Sequence, residues 1–282
     1  ENKLIQTPVT ALVQDGNKIM WIGSLQGLIK WDQKSQKFKA YTTAKNGKPL
    51  FENNFVASIT QGSSDIIWVG TWGAGIFKYN RATDANTRYY TGGGKRSIVN
   101  DYVHSIIKTR SGQIIIGTRD GVQQYVASED RFVDFLRIRG VEDHGTFKKN
   151  RVYDIAEDKK GRIWFATRLG LFAVDGKKVL SFFHDPENSN TISSSEIYSL
   201  LVDSSGDIWI GTINGLNRLS SIDFSVTRYM RGEGQESHQL LSNDVVSLAQ
   251  DGAGYIWIGT SSGIHRLNKE TGNVIHLSEK DG

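Results

Sequence analysis

The residues whose types could do chemistry stand in the predicted turns of a repeated unit. Five of them come shortly after an apolar run: Trp72, Arg119, Asp120, Arg168 and Asn214. Arginine, carboxylate and amide groups can pair with sugar hydroxyls, and an exposed aromatic ring can lie against the C–H face of a pyranose. Arginine can also pair with a uronate or sulfate group. These residue types predict a site for a neutral or anionic oligosaccharide.

A second set of polar residues comes just before the apolar run that begins each unit: Asn54, Asp101, Arg151, Glu196 and Asp244. These residues have the same binding chemistry, but Asn and Asp before a strand are also ordinary turn residues that bond their own backbone. Arg119 and Arg168 could equally be solvated or bridge two loops. Trp72 is distinctive because its turn, Thr71 to Gly75, has one residue more than the equivalent turns.

Signals for catalysis are sparse. The six histidines show no metal-ligand spacing, no Gly-x-Ser-x-Gly is present, and zero cysteine excludes a thiol nucleophile and a disulfide scaffold. We therefore expect no metal, no cofactor and no catalytic residue. Asp101, Asp120, Glu196 and Asp244 could face one another across a funnel, as glycosidase carboxylates do. A carbohydrate-active hydrolase or lyase therefore stays open as an alternative.

An internal repeat predicts the elements that position these residues. Ile208-Trp209-Ile210-Gly211-Thr212 returns as Ile256-Trp257-Ile258-Gly259-Thr260, and related units occur at steps of 47, 47, 49, 45 and 48 residues. The repeats span approximately 7–53, 54–100, 101–149, 150–194, 195–242 and 243–282. Twelve residues before each tryptophan position stands an apolar residue: Val9, Val56, Val103, Val152, Ile197 and Val245.

Each repeat contains four short segments rich in β-branched and aromatic residues, separated by Gly, Asn, Asp and Ser. None has a sustained helical period. Four-stranded units of 40–50 residues predict an all-β fold, a β-propeller of antiparallel blades. We expect five tryptophans, Trp21, Trp68, Trp164, Trp209 and Trp257, to pack between blades.

Composition restricts the class of partner. The net charge of +4 comes without a basic run, which argues against a nucleic-acid ligand. No apolar run approaches the roughly 18 residues needed to span a membrane, so we expect no membrane insertion by this segment. The N-terminal residues lack the pattern of a signal peptide.

The pattern Val…Asp-x-x-Gly-x-Ile-Trp-Ile-Gly-Thr-x-x-Gly-Leu resembles the two-component-regulator propeller repeat. The match is strongest at 197–216 and 245–264, whereas the third copy has Ile115 for tryptophan and the fourth has Ala166 for glycine. The resemblance implies the periplasmic sensor region of a hybrid two-component histidine kinase of Bacteroides-type bacteria, often with seven blades and often with oligosaccharide ligands.

On this basis we expect a periplasmic, non-catalytic sensor that relays binding to a distant kinase module. Its partners would be an oligosaccharide, other domains of the same sensor and a second copy in a homodimer. The six visible repeats would then be most of a seven-bladed propeller, although six blades could also close by themselves. A scaffold propeller that binds other proteins is the third hypothesis.

Overall fold

Each repeat folds as four antiparallel strands that pair in chain order, so the predicted β-propeller fold is confirmed. The computed structural model describes residues 7–41, 55–141, 145–232 and 238–277. It divides into two compact units, Glu1–Glu142 and Asp143–Gly282, which contain three blades each.

The first unit contains blades 1 to 3. Blade 1 consists of β1 (Val9–Gln14), β2 (Ile19–Ser24), β3 (Gly27–Asp32) and β4 (Lys37–Tyr41). Blade 2 consists of β5 (Val56–Gln61), β6 (Ile66–Thr71), β7 (Ile76–Asn80) and β8 (Ala85–Tyr89). Blade 3 consists of β9 (Val103–Lys108), β10 (Ile114–Thr118), β11 (Gly121–Val126) and β12 (Arg131–Asp134).

The second unit contains blades 4 to 6. Blade 4 consists of β13 (Val152–Glu157), β14 (Ile163–Thr167), β15 (Gly170–Asp175) and β16 (Lys178–Phe182). Blade 5 consists of β17 (Ile197–Val202), β18 (Ile208–Thr212), β19 (Gly215–Leu219) and β20 (Val226–Tyr229). Blade 6 consists of β21 (Val245–Gln250), β22 (Ile256–Thr260), β23 (Gly263–Leu267) and β24 (Val274–Leu277).

The six apolar residues found from the repeat are the first residues of the six first strands, as predicted. Short helices that the sequence pattern did not reveal follow blade 3. Helix α1 (Phe135–Arg139) begins after Asp134, whose carboxylate accepts the Arg137 N–H at 2.8 Å, and it ends at Gly140 in the left-handed conformation. Helix α2 covers Gly145–Lys148. Helices of this length are too short to show a period.

An aspartate organises the turn between the first two strands in four blades, and it is buried in three of them. In blade 5, Asp203 accepts the N–H groups of Ser205, Gly206 and Asp207 at 2.8–3.0 Å and the Trp209 indole N–H at 3.1 Å. In the same way, the tryptophan indole N–H of three other blades donates to the aspartate of its own blade: Asp15, Asp158 or Asp251. In blade 3, Thr109 stands in place of the aspartate and Ile115 in place of the tryptophan.

Adjacent blades interlock through a glycine and an apolar residue. A Cβ on Gly23, Gly70 or Gly211 would lie 2.7–2.9 Å from the first-strand valine of the next blade. The tryptophans pack beside this contact, and Trp21, Trp68, Trp164 and Trp209 are at most 2% exposed, as predicted. Trp257 differs, because it is only partly buried. None of the described helices is long and apolar enough to cross a membrane.

Candidate functional site

The first strand of each blade carries a β-bulge at its second residue. In blade 4, Val152 lies opposite Thr167 and Asp154 opposite Ala166, so the pairing register passes over Tyr153. The same shift occurs in the other five blades. A bulge redirects the side chain of its extra residue. The residues in this position are Thr10, Ala57, His104, Tyr153, Tyr198 and Val246.

The two predicted sets of residues lie side by side at this end of the blades. In four blades the first residue after the second strand donates its N–H to the carbonyl of the residue before the first strand. These bonds join Trp72 to Phe55, Arg119 to Tyr102, Arg168 to Arg151, and Ile213 to Glu196 at 3.1–3.3 Å. The turn of one blade also bonds to the start of the next, since Gly73 and Gly75 donate to the Asp101 carbonyl at 3.1 and 2.9 Å.

Aromatic side chains gather at this end of the first unit. We call Phe55, Trp72, Tyr102, His104 and Arg119 the aromatic cluster. The Trp72 ring lies 4.5 Å from the Phe55 ring, and its indole N–H donates to His104 Nδ1 at 3.1 Å. Arg119 stands 5.6 Å from the Tyr102 ring. Trp72 and Tyr102 are each 41% exposed, so both present aromatic surface in a fixed orientation.

The second unit has a corresponding group, the tyrosine cluster, made by Arg151, Tyr153, Glu196, Tyr198 and Asp244. Arg151 donates to the Tyr153 hydroxyl at 3.3 Å, and that hydroxyl donates to Glu196 Oε1 at 3.5 Å. The rings of Tyr153 and Tyr198 meet edge to face with centroids 5.3 Å apart. All five side chains are partly exposed.

Burial, hydrogen bonds and charge hold two groups of the tyrosine cluster in defined protonation states. Burial raises the pKa of the Tyr198 hydroxyl, and the nearby Glu196 carboxylate raises it further. Hydrogen bonds from Ser242 and Ser261 lower the pKa of Asp244. The phenol therefore stays protonated and the carboxylate ionised, so the cluster offers both donors and acceptors to a polar ligand.

The ten predicted site residues divide by what their side chains contact. Asp101 Oδ1 accepts the Thr91 N–H at 2.7 Å, and Asp120 Oδ2 accepts the Asn100 amide at 2.7 Å. The Asn214 amide donates to the Ser193 carbonyl at 3.4 Å. These three side chains brace loops, whereas Trp72, Arg119, Arg151, Glu196 and Asp244 fall in the two clusters. Arg168 is exposed beside Arg151, and Asn54 lies outside the described residues.

Sequence reasoning missed Phe55, His104, Tyr153 and Tyr198. The last three occupy the bulge, one residue after the apolar residue that marks each first strand. A comparison of that column across the six repeats would have shown large polar aromatic residues where regular alternation predicts none. The described residues hold no group of three or more His, Asp or Glu side chains placed to bind a metal ion.

Three segments of the chain match the family model described as two component regulator propeller: residues 146–168, 191–214 and 239–262. Each segment contains the first strand, the aspartate turn and the second strand of one blade. Blades 4, 5 and 6 therefore each contain a segment that matches the two component regulator propeller repeat, and the predicted resemblance is confirmed. No curated protein matches the chain.

Solved structures share the fold at low sequence identity. The extracellular domain of a proposed hybrid two component system from B. thetaiotaomicron is 19% identical, with a TM-score of 0.76 over 98% of this chain and 35% of that one. Virginiamycin B lyase from Staphylococcus aureus is 11% identical, with a TM-score of 0.69 over 96% and 84%. PorZ of Porphyromonas gingivalis is 18% identical, with a TM-score of 0.67 over 92% and 38%. The chain spans about a third of the first of these domains.

Proposed function

We propose that this propeller is the ligand-binding part of an extracytoplasmic sensor in a hybrid two component system, and that its ligand is an oligosaccharide, neutral or anionic. The observation that carries the proposal is Trp72. Its ring is 41% exposed, yet Phe55 and His104 fix its orientation. An aromatic face held in place before binding costs little conformational entropy when a sugar ring lies against it.

The rest of both clusters fits the same ligand class. Hydroxyl, carboxylate and guanidinium groups surround the aromatic rings, and Arg119 and Arg151 supply positive charge for a uronate or sulfate. The two component regulator propeller repeats support a sensor role in signalling. Transmission of the signal to a kinase module and a periplasmic location are parts of the proposal that follow from this role.

A lyase is the second candidate, because a lyase of S. aureus has the same fold. At 11% identity this similarity concerns the fold alone. Turnover of the ligand separates the two functions, since a sensor releases its ligand unchanged. A scaffold propeller would bind no sugar at either cluster.

The test is a thermal-shift screen of the chain against defined neutral, uronic and sulfated oligosaccharides, followed by product analysis of each hit. A ligand at about 100 times its Kd adds roughly 2.7 kcal/mol to the free energy of unfolding. We expect a hit that is recovered intact. A consumed hit would establish the lyase, and no shift with any sugar would contradict the proposed ligand class.

Variants of Trp72 connect a hit to the aromatic cluster. Trp72→Ala removes the ring, and Trp72→Phe keeps an aromatic face but loses the bond to His104. Ile222→Ala is the matched control, because Ile222 is 90% exposed in the turn between β19 and β20. We expect the alanine variant to abolish the shift, the phenylalanine variant to weaken it, and the control to leave it unchanged.

We also propose that a further blade of the same repeat covers blade 6. The outer face of blade 6, by which we mean the sheet face turned away from blade 5, consists of Trp257, Gly259 and Ile264. Ile264 is 51% exposed, whereas Leu216 at the same position of blade 5 is fully buried. The occupant would bring a first-strand valine onto Gly259, as Val245 lies against Gly211.

A further inference from the structure

Three blades hold the loop that leads into them by the same hydrogen bond. The side chain two residues after the turn glycine accepts the backbone N–H that lies four residues before the first strand. Gln123 accepts from Val99 and Asn217 from Ser193, both at 2.8 Å, and His265 accepts from Leu241 through Nε2 at 3.1 Å. We call this bond the loop latch. Blade 4 uses a stacked pair of rings instead, Phe172 on Phe147 at 4.7 Å.

The latch of blade 6 alone among these three uses a side chain that can titrate near neutral pH. An imidazole accepts at Nε2 only when that nitrogen carries no proton, whereas the amides of Gln123 and Asn217 accept at any pH. His265 is 1% exposed, and its Nε2 lies 3.1 Å from the Leu241 nitrogen. A proton on Nε2 would therefore point at the Leu241 N–H, and the two donors would repel.

The surroundings of His265 oppose its protonation. β22 presents Ile258 opposite His265, β24 presents His276, and the incoming loop presents the Leu241 N–H. His276 is the only ionisable group among the described residues whose charge bears on His265, and the two rings are 4.8 Å apart. Burial lowers the pKa of His265 below 6.5, the charge of His276 lowers it further, and the Ile258 carbonyl offsets part of this effect.

We infer that His265 is a proton-sensitive latch that holds the loop before blade 6 at neutral pH and releases it in acid. The released part would be Leu241 and Ser242, which lead directly to Asn243 and Asp244, because Leu240 stays buried in the core between blades 5 and 6. Neighbouring bonds at Asn243 do not depend on His265: its side chain accepts the Arg231 N–H at 2.7 Å, and its carbonyl accepts the Gly215 N–H. Blade 6 would therefore stay folded while the loop beside the tyrosine cluster opens.

The sign of the effect follows from linkage. Because the folded pKa lies below the unfolded value of 6.5, the unfolded or opened state binds the proton more readily. The hydrogen bond from the Leu241 N–H to His265 is fully formed above about pH 6.5, and it weakens as the pH falls below that value. A ligand response that weakens in acid would be a consequence, and that part of the inference rests on the proposed function.

Hydrogen exchange of the chain, read as protection factors at about pH 7.5 and about pH 5, tests the latch without any ligand. We expect protection around Leu241 to fall about tenfold in acid in the wild type. The segment around Ser193 is an internal control, because Asn217 does not titrate and its protection should stay constant.

His265→Asn installs the side chain of blade 5, and His265→Gln installs that of blade 3. Either variant should keep the Leu241 segment protected at both pH values. The inference is overturned if the wild-type segment stays protected in acid, or if a folded amide variant loses as much protection as the wild type. Should both variants fail to fold, an NMR titration of the wild type decides, because the Leu241 amide shift must follow the His265 ring.

Discussion

At the scale of single residues, one carboxylate can hold a turn, an aromatic ring and a neighbouring blade together. Asp203 accepts backbone N–H groups of its own turn, the Trp209 indole and the Lys269 ammonium at 3.3 Å. Burial alone would raise its pKa, but hydrogen bonds from Ser205, Trp209 and the Gly206 N–H, with the charge of Lys269, together lower the pKa from 3.8 to about 2. The ionised form is therefore part of the folded structure.

This difference in pKa predicts a defined loss of stability in acid. A depressed folded pKa stabilises the fold above the unfolded value of 3.8, and the stabilisation disappears as the pH falls towards about 2. Asp203→Asn should cost about 2 kcal/mol at neutral pH and flatten the pH dependence in that window. Urea denaturation between about pH 7 and about pH 2 measures both effects.

Asp175→Asn is the control for this prediction, because Asp175 is exposed at the end of β15. Its unfolding curves should match those of the wild type at every pH. Wild type and Asp203→Asn curves that run parallel through the acid window would contradict the role given to Asp203.

Single residues also show which parts of the candidate site could be predicted from the sequence. Trp72 could be singled out because its turn carries one extra residue, and that irregularity is visible in the repeat. Tyr153 and Tyr198 share one position of the repeat, so a comparison of that position could have singled them out. Their orientation could not be predicted, because it depends on a bulge that follows from strand pairing. The charge of Asp101 and Asp120 predicts ligand contacts, and the sequence does not show the bonds that both carboxylates make to N–H groups 10 and 20 residues away.

At the scale of elements, the strands were predictable and the fit between blades was not. The repeat marked the first residue of each first strand, since β-branched residues and glycine turns recur at fixed spacing. It did not show why Gly211 is glycine. A Cβ there would lie 2.3 Å from Ser199 Oγ of the same blade, 2.7 Å from Val245 Cγ1 and 2.9 Å from the Val245 carbonyl oxygen. The first strand of blade 5 and the next blade both leave no room for a side chain.

Two glycines at the same position of different blades test this fit. Gly211→Ala should lower the free energy of unfolding by about 1–3 kcal/mol, because the methyl group must displace Val245. Gly259→Ala in blade 6 should cost less, since a Cβ there meets only atoms of Ser247. Equal losses in chemical denaturation would show that the next blade's valine does not decide the cost.

The outer face of blade 6 gives a second matched pair. Leu216→Ala should cost about 2–5 kcal/mol because Leu216 is fully buried. Ile264→Ala, at the equivalent position, should change stability by about 0.5 kcal/mol or less in this chain. In a longer protein that contains the proposed further blade, Ile264→Ala should become as costly as Leu216→Ala. A cost that stays small there would rule out a blade on this face.

At the scale of the whole molecule, each of the two units is a frame of three blades that presents its variable residues at the bulges and turns of one end of each blade. The repeated glycine, valine and tryptophan positions build the frame, and the bulge residues vary among the blades, with tyrosine in both blade 4 and blade 5. A sensor must convert ligand affinity into a change of population, which requires that the ligand prefer one state of the larger protein. In the proposed function the frame would hold the ligand site, and contacts with other domains would relay the signal.

The most direct test of this account is a crystal structure of the chain with an oligosaccharide hit from the thermal-shift screen. We predict an intact sugar whose ring lies against Trp72 or Tyr102, or against Tyr153 and Tyr198, with Arg119 or Arg151 on its polar groups. A sugar bound elsewhere on the blades, or a cleaved product in place of the ligand, would contradict the account.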